Sequence, residues 1–390
     1  MKIGLICPYN MARGGAVIEI VKDMQVGLKR RGHDVKIVTG RPKDVTAIGV
    51  APEDLLVIGR VTDFKSPTHT LASFTMHMDG EAAASAIAAE RFDVLHFHEP
   101  AVPFMGKQLL ALAGDVVRVA TFHAKLPDTP VSQTIGRAAV PYVRGILEDL
   151  DELVIGSSAA GDYLRTFTDR PLHYIPNGVD LGNFKPVSRK VPGLHKKILF
   201  VGRLEHRKGV KYLIQAFAQL RQQRDDVELI LAGAGPDRTK LEQLAVTLGV
   251  QDDVYFLGFV DNATKLRLLA EADLFCSPAI FGESFGLVLL EAMATGLVTI
   301  AGSNEGYAAV MQGLGALSLL DPHDTVDFAR RVALLLDNED LRKLWRAWAL
   351  EYVKQFDYET IIDQYEQLYK RALAARTQAK PPGVVNIHSN

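Results

Sequence analysis

A run of basic residues lies between two glycines at positions 202 and 209. It reads Gly-Arg-Leu-Glu-His-Arg-Lys-Gly, follows an apolar run and precedes a helical pattern. Arg203 offers a planar guanidinium that grips two phosphate oxygens, and Lys208 acts as a point charge, so the two suit a diphosphate. A solvent-exposed basic turn is the alternative. Four basic or histidine side chains between two glycines favour phosphate binding.

The segment 281–291, Phe-Gly-Glu-Ser-Phe-Gly-Leu-Val-Leu-Leu-Glu, carries two carboxylates around an apolar stretch. Its pattern places Glu283 at the entry to a helix, where free backbone N–H groups are available to a ligand. Glu291 then lies about 80° around the helix from Glu283. A carboxylate in an apolar helix needs a polar partner, and a ribose diol supplies two hydroxyl donors. A capping Glu283 and a salt-bridged Glu291 are the less favoured alternative.

Histidines occur where two predicted strands end, in His-Phe-His-Glu-Pro at 96–100 and Thr-Phe-His at 121–123. His96 and His98 point to the same face of a strand, which is compatible with a metal site. The sequence offers no third ligand at suitable spacing, so we expect no metal there. His123 is suited to hydrogen-bond a substrate hydroxyl, although a lone histidine is more often structural.

The segment Arg13-Gly14-Gly15 separates the first apolar run from the first helical pattern. Two glycines allow a backbone to approach a phosphate closely at a helix N-terminus. The pair alone indicates only a tight turn.

The composition limits the class of protein. The 390 residues are 48% hydrophobic and 23% charged, which is typical of a globular protein of about two domains. The 44 Lys+Arg and 46 Asp+Glu give a formal charge of −2, so we expect no nucleic-acid partner. Two distant cysteines, Cys7 and Cys276, favour a reducing compartment. No apolar run is long enough for a membrane span or a signal peptide, which predicts a cytoplasmic protein.

Strand and helix patterns alternate twice along the chain, which predicts an α/β protein with two doubly wound parallel sheets. We predict domains at 1–178 and 179–356, a further helix at 357–376, and a disordered tail at 377–390. Residues 40–80 have no clear order beyond a strand at 55–58. The other predicted strands are 3–7, 35–39, 93–97, 116–122, 152–155, 172–175, 197–201, 227–232, 254–257, 274–277 and 298–301.

Together these motifs resemble the retaining glycosyltransferases of family 4. That family has the GT-B fold, with two Rossmann-like domains facing an interdomain cleft and a C-terminal helix that crosses back to the N-terminal domain. The resemblance covers about residues 1–370. Its matching residues are Gly14–Gly15, His98-Glu99-Pro100, Thr121-Phe122-His123, Ile175-Pro176-Asn177-Gly178-Val179-Asp180, Gly202-Arg203, Lys208-Gly209, Glu283-Ser284-Phe285-Gly286 and Glu291.

The resemblance implies a role for each matching position. The first domain would bind the acceptor and the second the nucleotide sugar. The implied catalytic residues are His123, Arg203, Lys208 and Glu283. The implied donor-binding residues are Gly15, Arg203, Lys208, Val260, Asn262, Lys265, Glu283, Ser284, Phe285, Gly286, Leu287, Val288 and Glu291. The implied acceptor-binding residues are Tyr9, Glu99, His123 and Lys125.

Within the family the chain resembles in particular the actinobacterial mannosyltransferases that act on phosphatidylinositol. That resemblance implies transfer of mannose from GDP-mannose to a lipid or polyol acceptor, peripherally on the inner face of the cell membrane. We expect no tightly bound cofactor and no metal held by the protein, because the cleft motifs offer no acidic pair suited to a metal on a diphosphate, and Mg²⁺ would enter only with the donor. Residues 1–60 hold ten Lys/Arg against six Asp/Glu. The cations that would attract anionic lipid are Lys29, Arg30, Arg31, Arg41 and Lys43. A solvated helix end is an equal alternative.

Three other functions stay open. A family member that uses a UDP-sugar or a soluble acceptor is one, because Asn262 stands where those mannosyltransferases have an acidic residue beside the base. A dinucleotide-dependent oxidoreductase is disfavoured, because no G-x-G-x-x-G follows the first strand. A nucleotide-binding protein without turnover is disfavoured by the presence of Arg203, Lys208, Glu283 and His123.

Overall fold

The computed structural model describes residues 1–13, 15–65, 71–123, 130–186 and 195–379. The chain divides into two compact units, the first comprising Met1–Pro176 and the segment from Glu359 onward, the second Asn177–Tyr358. The domain limits expected from the sequence, 178/179 and 356/357, each lie two residues from these boundaries.

The first unit is built on an eight-stranded sheet in the order β4-β3-β2-β1-β5-β6-β7-β8. Its elements are β1 Lys2–Cys7, α1 Ala16–Arg30, β2 Asp34–Arg41, β3 Leu55–Lys65, β4 Leu71–His77, α2 Gly80–Glu90, β5 Val94–His98, α3 Met105–Leu112, β6 Val117–Phe122, α4 Pro130–Glu148, β7 Glu152–Ile155, α5 Ser158–Arg165 and β8 His173–Tyr174. Short 3₁₀ helices lie at Met11–Arg13, Thr46–Ile48 and Pro52–Asp54.

Strands β3 and β4 correct the expectation of a wholly parallel sheet. They form an antiparallel hairpin at the sheet edge, whereas all other pairs in this sheet are parallel. The strand predicted at 55–58 extends to Lys65. The hairpin was not predicted because this segment mixes polar and apolar residues. An edge strand need not be a continuous apolar run.

The core of the first unit follows from periodicity. In α1, Ile18, Val21, Met24 and Leu28 recur at helical spacing and are buried against the sheet. Strand β5 is buried along its whole length, as expected for a central parallel strand covered on both faces. Its two histidines therefore need internal partners.

The last helix, α13 (Tyr358–Ala379), packs into the first unit. Its buried apolar face includes Ile362, Leu368 and Tyr369. On its polar side, Arg31 contacts Asp363 and Glu366, each at 3.0 Å. The tail predicted from 377 is helical through Ala379, and residues 380–390 lie outside the described part of the chain.

The ion pairs of α13 change the interpretation of the basic residues near the N-terminus. Besides the pairs of Arg31, Lys29 lies 2.6 Å from Asp54. Arg41 and Lys43 are exposed. Much of the local positive charge is thus neutralised within the first unit. In the described residues no helix combines the length and apolar character needed to cross a bilayer.

The second unit contains a six-stranded, all-parallel sheet in the order β11-β10-β9-β12-β13-β14. Its elements are β9 Lys196–Val201, α6 Val210–Arg221, β10 Val227–Ala232, α7 Arg238–Thr247, β11 Val254–Gly258, α8 Asn262–Glu271, β12 Leu274–Ser277, α9 Leu287–Ala294, β13 Thr299–Gly302, α10 Glu305–Val310, β14 Leu319–Leu320, α11 Thr325–Asp337 and α12 Glu339–Tyr352. Helix α12 ends at Tyr352, and a 3₁₀ turn, Val353–Phe356, follows. Other 3₁₀ turns are His206–Lys208 and Gly313–Ser318.

Candidate active site

The loop after β9 carries an alternating chain of charges. Arg203 contacts Glu205 at 2.6 Å, and Glu205 also accepts from Nε of Arg207 at 3.0 Å. The loop closes in a 3₁₀ turn that ends at Gly209, whose φ is +68°. A Cβ at Gly209 would lie 2.0 Å from the carbonyl oxygen of Pro278. Only glycine therefore allows this loop to approach the segment after β12.

The segment after β12 brings Glu283 to that loop. Oε1 of Glu283 lies 2.7 Å from Nζ of Lys208 and 2.5 Å from Nη1 of Arg207. The side chains of Lys208 and Glu283 are 13% and 11% exposed. A backbone bond from Ile280 N to Arg207 O, 2.8 Å, ties the two segments together. Within the described part of the chain, Glu283 contacts Lys208 directly, whereas Arg203 is linked to it through Glu205 and Arg207.

Glu283 does not belong to the helix that the sequence suggested. Helix α9 begins at Leu287 with Gly286 as its N-cap, so the helical angle between Glu283 and Glu291 does not apply. Gly286 has φ +105°, and a Cβ there would lie 2.7 Å from the Tyr307 ring. The helix therefore starts after Gly286, and the position of this glycine was the signal of that start in the sequence.

The residues between Glu283 and α9 divide into core and surface positions. Phe285 is 2% exposed and packs against Phe356 at 5.8 Å between ring centroids. Ser284, Leu287 and Val288 are partly exposed. The first N–H groups of α9 lack partners within the helix, so this turn offers backbone donors to an anion.

Glu291 forms an ion pair, which was the less favoured of the two alternatives drawn from the sequence. Its Oε1 lies 2.6 Å from Nζ of Lys265, and the two side chains are 17% and 20% exposed. Nζ of Lys265 also lies 5.3 Å from the ring centroid of Phe184. The structure thus brings together two predicted donor-binding residues. In the absence of a ligand, Lys265 is one partner of the Glu291 carboxylate.

In the first unit the ends of β5 and β6 bring Glu99 and His123 together. Oε1 of Glu99 accepts a hydrogen bond from the backbone N–H of His123 at 2.6 Å. The backbone N–H of Glu99 donates to the carbonyl of Thr121 at 3.0 Å. Glu99 has φ +53°, an unusual conformation for a residue other than glycine. Strain of this kind is concentrated at functional sites.

The negative charge of Glu99 acts on two tyrosines, Tyr9 and Tyr163. Burial raises the pKa of Tyr9 well above its usual value, and the charge of Glu99 raises it further. Burial and the same charge raise the pKa of Tyr163. Both hydroxyls therefore stay protonated at neutral pH and serve as donors. Gly15, with φ +145°, is the N-cap of α1. Gly14 and Lys125 lie outside the described residues.

His96 is held by structural partners. Its Nδ1 lies 2.6 Å from the Tyr369 hydroxyl and its Nε2 lies 2.7 Å from Oγ1 of Thr121. Burial lowers the pKa of His96 to about 3. Both ring nitrogens are occupied, so His96 links α13 to the strand ends.

Comparisons with known proteins find matches over most of the chain. The family described as Glycosyltransferase Family 4 matches residues 18–183, and Glycosyl transferases group 1 matches residues 184–351. A phosphatidyl-myo-inositol mannosyltransferase of Mycobacterium leprae is 30% identical over 378 residues, 95% of this chain and 96% of the relative. The chain belongs to glycosyltransferase family 4.

Two further proteins are similar to this glycosyltransferase. An N-acetyl-alpha-D-glucosaminyl L-malate synthase of Bacillus anthracis is 27% identical over 391 residues, 95% of this chain and 96% of the relative. The crystal structure of Anabaena HepE with UDP and glucose has a TM-score of 0.72 at 20% identity, covering 95% of this chain and all of HepE. The two units, with mainly parallel sheets, are those of the GT-B fold that the resemblance implied.

Several residues of the glycosyltransferase site escaped the sequence prediction. Arg207 and Glu205 lie in the predicted loop close to Lys208. The order of these charged residues in the sequence gave no indication of which cation contacts Glu283. The loop after β10, Gly-Ala-Gly-Pro, packs against the start of the loop after β9. A Cβ at Gly233 would lie 1.7 Å from the carbonyl oxygen of Gly202, so the two backbones are in close contact. The glycine-rich sequence after β10 was a usable signal.

The predicted base-binding positions of the glycosyltransferase lie where α8 starts. Asp261 caps the helix by accepting from the Thr264 N–H at 2.8 Å. Asn262 is exposed and Val260 is partly buried. Asp261, the acidic residue next to Asn262, thus acts as the N-cap of α8, and Asn262 itself presents an amide side chain.

Proposed function

We propose that the protein transfers mannose from GDP-mannose to phosphatidylinositol and retains the anomeric configuration of the sugar. The observation that carries the proposal is the contact of Lys208 and Arg207 with Glu283. It places cations suited to a diphosphate beside a carboxylate suited to sugar hydroxyls. The mycobacterial relative, named for mannosyl transfer to phosphatidyl-myo-inositol, supports the choice of sugar and acceptor.

The proposed reaction breaks the bond between the anomeric carbon and the phosphate oxygen. Negative charge builds on the leaving diphosphate, and Lys208 and Arg207 stabilise it more in the transition state than in the ground state. The acceptor oxygen attacks the same face of the sugar, and its proton passes to the leaving phosphate oxygen. A new glycosidic bond and a free nucleoside diphosphate result. No protein nucleophile is assigned.

The proposal needs no tightly bound cofactor. Lys208 and Arg207 supply positive charge at the predicted diphosphate position, where other enzymes use a metal ion. Mg²⁺ can accompany the donor, but the proposal assigns it no part in the transfer. Transfer rates in excess chelator should therefore equal those in Mg²⁺, and complete loss of transfer in chelator would contradict this part of the proposal.

The acceptor is assigned to the first unit, where Glu99 and the hydroxyls near it suit a polyol. Glu99 accepts hydrogen bonds, and Tyr9 and Tyr163 donate them. We propose peripheral binding at the inner face of the cell membrane, with the exposed Arg41 and Lys43 facing anionic lipid. Sedimentation with phosphatidylinositol vesicles should carry the protein down at low salt. Full activity on a soluble acceptor without vesicle binding would contradict the lipid assignment.

A second candidate is transfer from a UDP-sugar to a soluble acceptor. It is favoured by Asn262, whose amide offers one acceptor and a donor instead of the two acceptors that a carboxylate gives to guanine. The relative named as an L-malate synthase and the fold neighbour solved with UDP are compatible with this candidate.

Thermal unfolding with GDP, UDP, ADP and NAD at equal concentrations separates the candidates. A ligand at about 100 times its dissociation constant stabilises the fold by about 2.7 kcal/mol. A shift with GDP alone supports mannose transfer, and a shift with UDP alone supports the second candidate. A shift with NAD alone would contradict both.

A further inference from the structure

Tyr307 is a fully buried tyrosine to which the proposed reaction gives no task. It lies on α10 and is 0% exposed, and its hydroxyl oxygen is 2.8 Å from Oγ of Ser277, the last residue of β12. The hydroxyl of a buried tyrosine usually has a hydrogen-bond partner. The segment after β12 also carries Glu283, so the Tyr307 hydroxyl lies in the neighbourhood of the proposed sugar-binding carboxylate.

Close backbone packing fixes α10 against that segment. A Cβ at Gly306 would lie 2.0 Å from the carbonyl oxygen of Glu283, and a Cβ at Gly286 would lie 2.7 Å from the Tyr307 ring. The side chain of Asn304, the N-cap of α10, accepts from the backbone N–H of Tyr307 at 3.0 Å and donates to a backbone carbonyl after β12 at 2.9 Å. The Tyr307 ring is therefore held in one place relative to the backbone of Glu283.

The Tyr307 hydroxyl interacts with the Glu283 carboxylate as well as with Ser277. Burial raises the pKa of Tyr307 well above its usual value, and the charge of Glu283 and a hydrogen bond to its side chain raise it further. The hydroxyl is therefore protonated at neutral pH. Glu283 thus has a neutral partner in addition to Lys208 and Arg207, which both contact its Oε1.

The chemistry of the three groups decides the direction of these hydrogen bonds. A carboxylate beside two cations only accepts, so Tyr307 is the donor to Glu283. A phenol has a single proton, and its oxygen must then accept from the Ser277 hydroxyl, which is able to donate. The hydrogen bonds therefore run from Ser277 to Tyr307 and from Tyr307 to Glu283.

We propose that Tyr307 is a positioning residue that donates a hydrogen bond to the Glu283 carboxylate and holds it in place when Lys208 and Arg207 bind the donor diphosphate. The functional meaning rests on the proposed function, in which Glu283 binds hydroxyls of the donor sugar. The two cations then exchange the carboxylate for the diphosphate, whereas a neutral tyrosine in the core keeps its partner. Tyr307 is thus the contact of Glu283 that persists through donor binding.

Carbon NMR of the full-length protein labelled at Cζ of tyrosine tests this hydrogen bond directly. The Cζ shift of a phenol responds to the acceptor of its proton, and loss of one signal in Tyr307→Phe assigns the ring. Glu283→Ala should move the Tyr307 signal away from the phenolate position, because the proton then goes to a neutral acceptor. The signal of Tyr369, which is equally buried but contacts His96, should stay. An unchanged Tyr307 signal would overturn the proposal, whatever sugar the protein transfers.

The kinetics of Tyr307→Phe test the positioning role, because this substitution removes one oxygen and retains the ring. With the donor that wild type uses, kcat should fall about tenfold, the scale of one hydrogen bond to a charged group, with little change in the donor KM. Ser318→Ala is the matched control. It also removes a buried hydroxyl of the second unit, one bonded to Trp345 at 2.9 Å, and its rate should equal that of wild type. Thermal unfolding verifies that both variants fold.

A double substitution separates positioning from a general structural effect. In Glu283→Ala the group that Tyr307 holds is already absent, so adding Tyr307→Phe should not lower kcat further. A structural effect of the lost hydroxyl would instead add to the effect of Glu283→Ala. A further loss in the folded double variant, or the wild-type kcat in folded Tyr307→Phe, would contradict the proposal.

Discussion

The ammonium of Lys208 lies 2.7 Å from the carboxylate of Glu283, with both side chains largely buried. The proposed function assigns the ammonium to the diphosphate and the carboxylate to the sugar. Without a ligand they neutralise each other, which avoids leaving isolated charges in a partly buried place. Donor binding must therefore replace this pair with two new contacts.

This exchange predicts opposite effects of Glu283→Gln on binding and turnover. Removing the carboxylate frees Lys208 and Arg207, so nucleoside diphosphate should bind about threefold more tightly, the scale of one partly exposed charge interaction. Loss of the sugar contact should lower kcat about 10²-fold. Titration calorimetry and initial rates measure the two effects. Glu242→Gln, which removes an exposed pair with Arg238, is the control, and weaker diphosphate binding in Glu283→Gln would refute the exchange.

Lys208→Ala should lower kcat about 10²-fold, because it removes a fixed cation from the leaving diphosphate. Lys211→Ala is a matched control, since Lys211 is exposed on α6 three residues further on. Its rate should equal that of wild type. Thermal unfolding verifies that both variants fold. Equal rates for folded Lys208→Ala and wild type would remove this lysine from the site.

Glu291→Ala should raise the donor KM by about tenfold with little change in kcat. The ribose contact is the same in the ground and transition states, and a hydrogen bond to a charged group contributes about 1.5–3 kcal/mol. Steady-state kinetics with varied donor measures the change. Glu271→Ala is the control, because Glu271 also pairs with a lysine, Lys197, but is 47% exposed. An unchanged KM would leave Glu291 a structural partner of Lys265.

The buried histidines predict how stability depends on pH. The pKa of His96 falls from 6.5 to about 3 on folding, so between these values the unfolded chain binds more protons. Stability should therefore be complete above about pH 6.5 and fall by about 1.4 kcal/mol per pH unit below it for each such histidine. Urea unfolding measures this slope, and His96→Gln should reduce it. Glu366, with its pKa lowered to about 2 chiefly by Lys370 and also by Arg31, contributes a separate loss below about pH 4.5. A flat profile from pH 6.5 to pH 5 would contradict the neutral, buried state of His96.

The sequence predicted the elements whose pattern is local. Buried parallel strands such as β5 and β9 were visible as short apolar runs, and the two sheets followed from their alternation with helices. The hairpin β3–β4 was missed, because an edge strand with mixed polarity lacks that pattern. The helical residues 377–379 were missed, because the neighbouring Arg376 is fixed by long-range contacts with Asp115 and Asp151, which a local pattern does not reveal.

The candidate site could be predicted in residue type but not in pairing. Lys208 and Glu283 were identified from motifs 75 residues apart, yet only the fold shows that they touch. Arg207 was indistinguishable from its neighbours until its contact with Glu283 was seen.

Transfer of radiolabelled mannose from GDP-mannose to phosphatidylinositol vesicles tests the central claim most directly. Wild-type protein should move the label into the lipid extract, and the linkage formed should have the same anomeric configuration as the donor. The claim would be contradicted if the folded protein left the lipid unlabelled but transferred a sugar from a UDP donor to a soluble acceptor. In that case only the assignment to glycosyltransferase family 4 would stand.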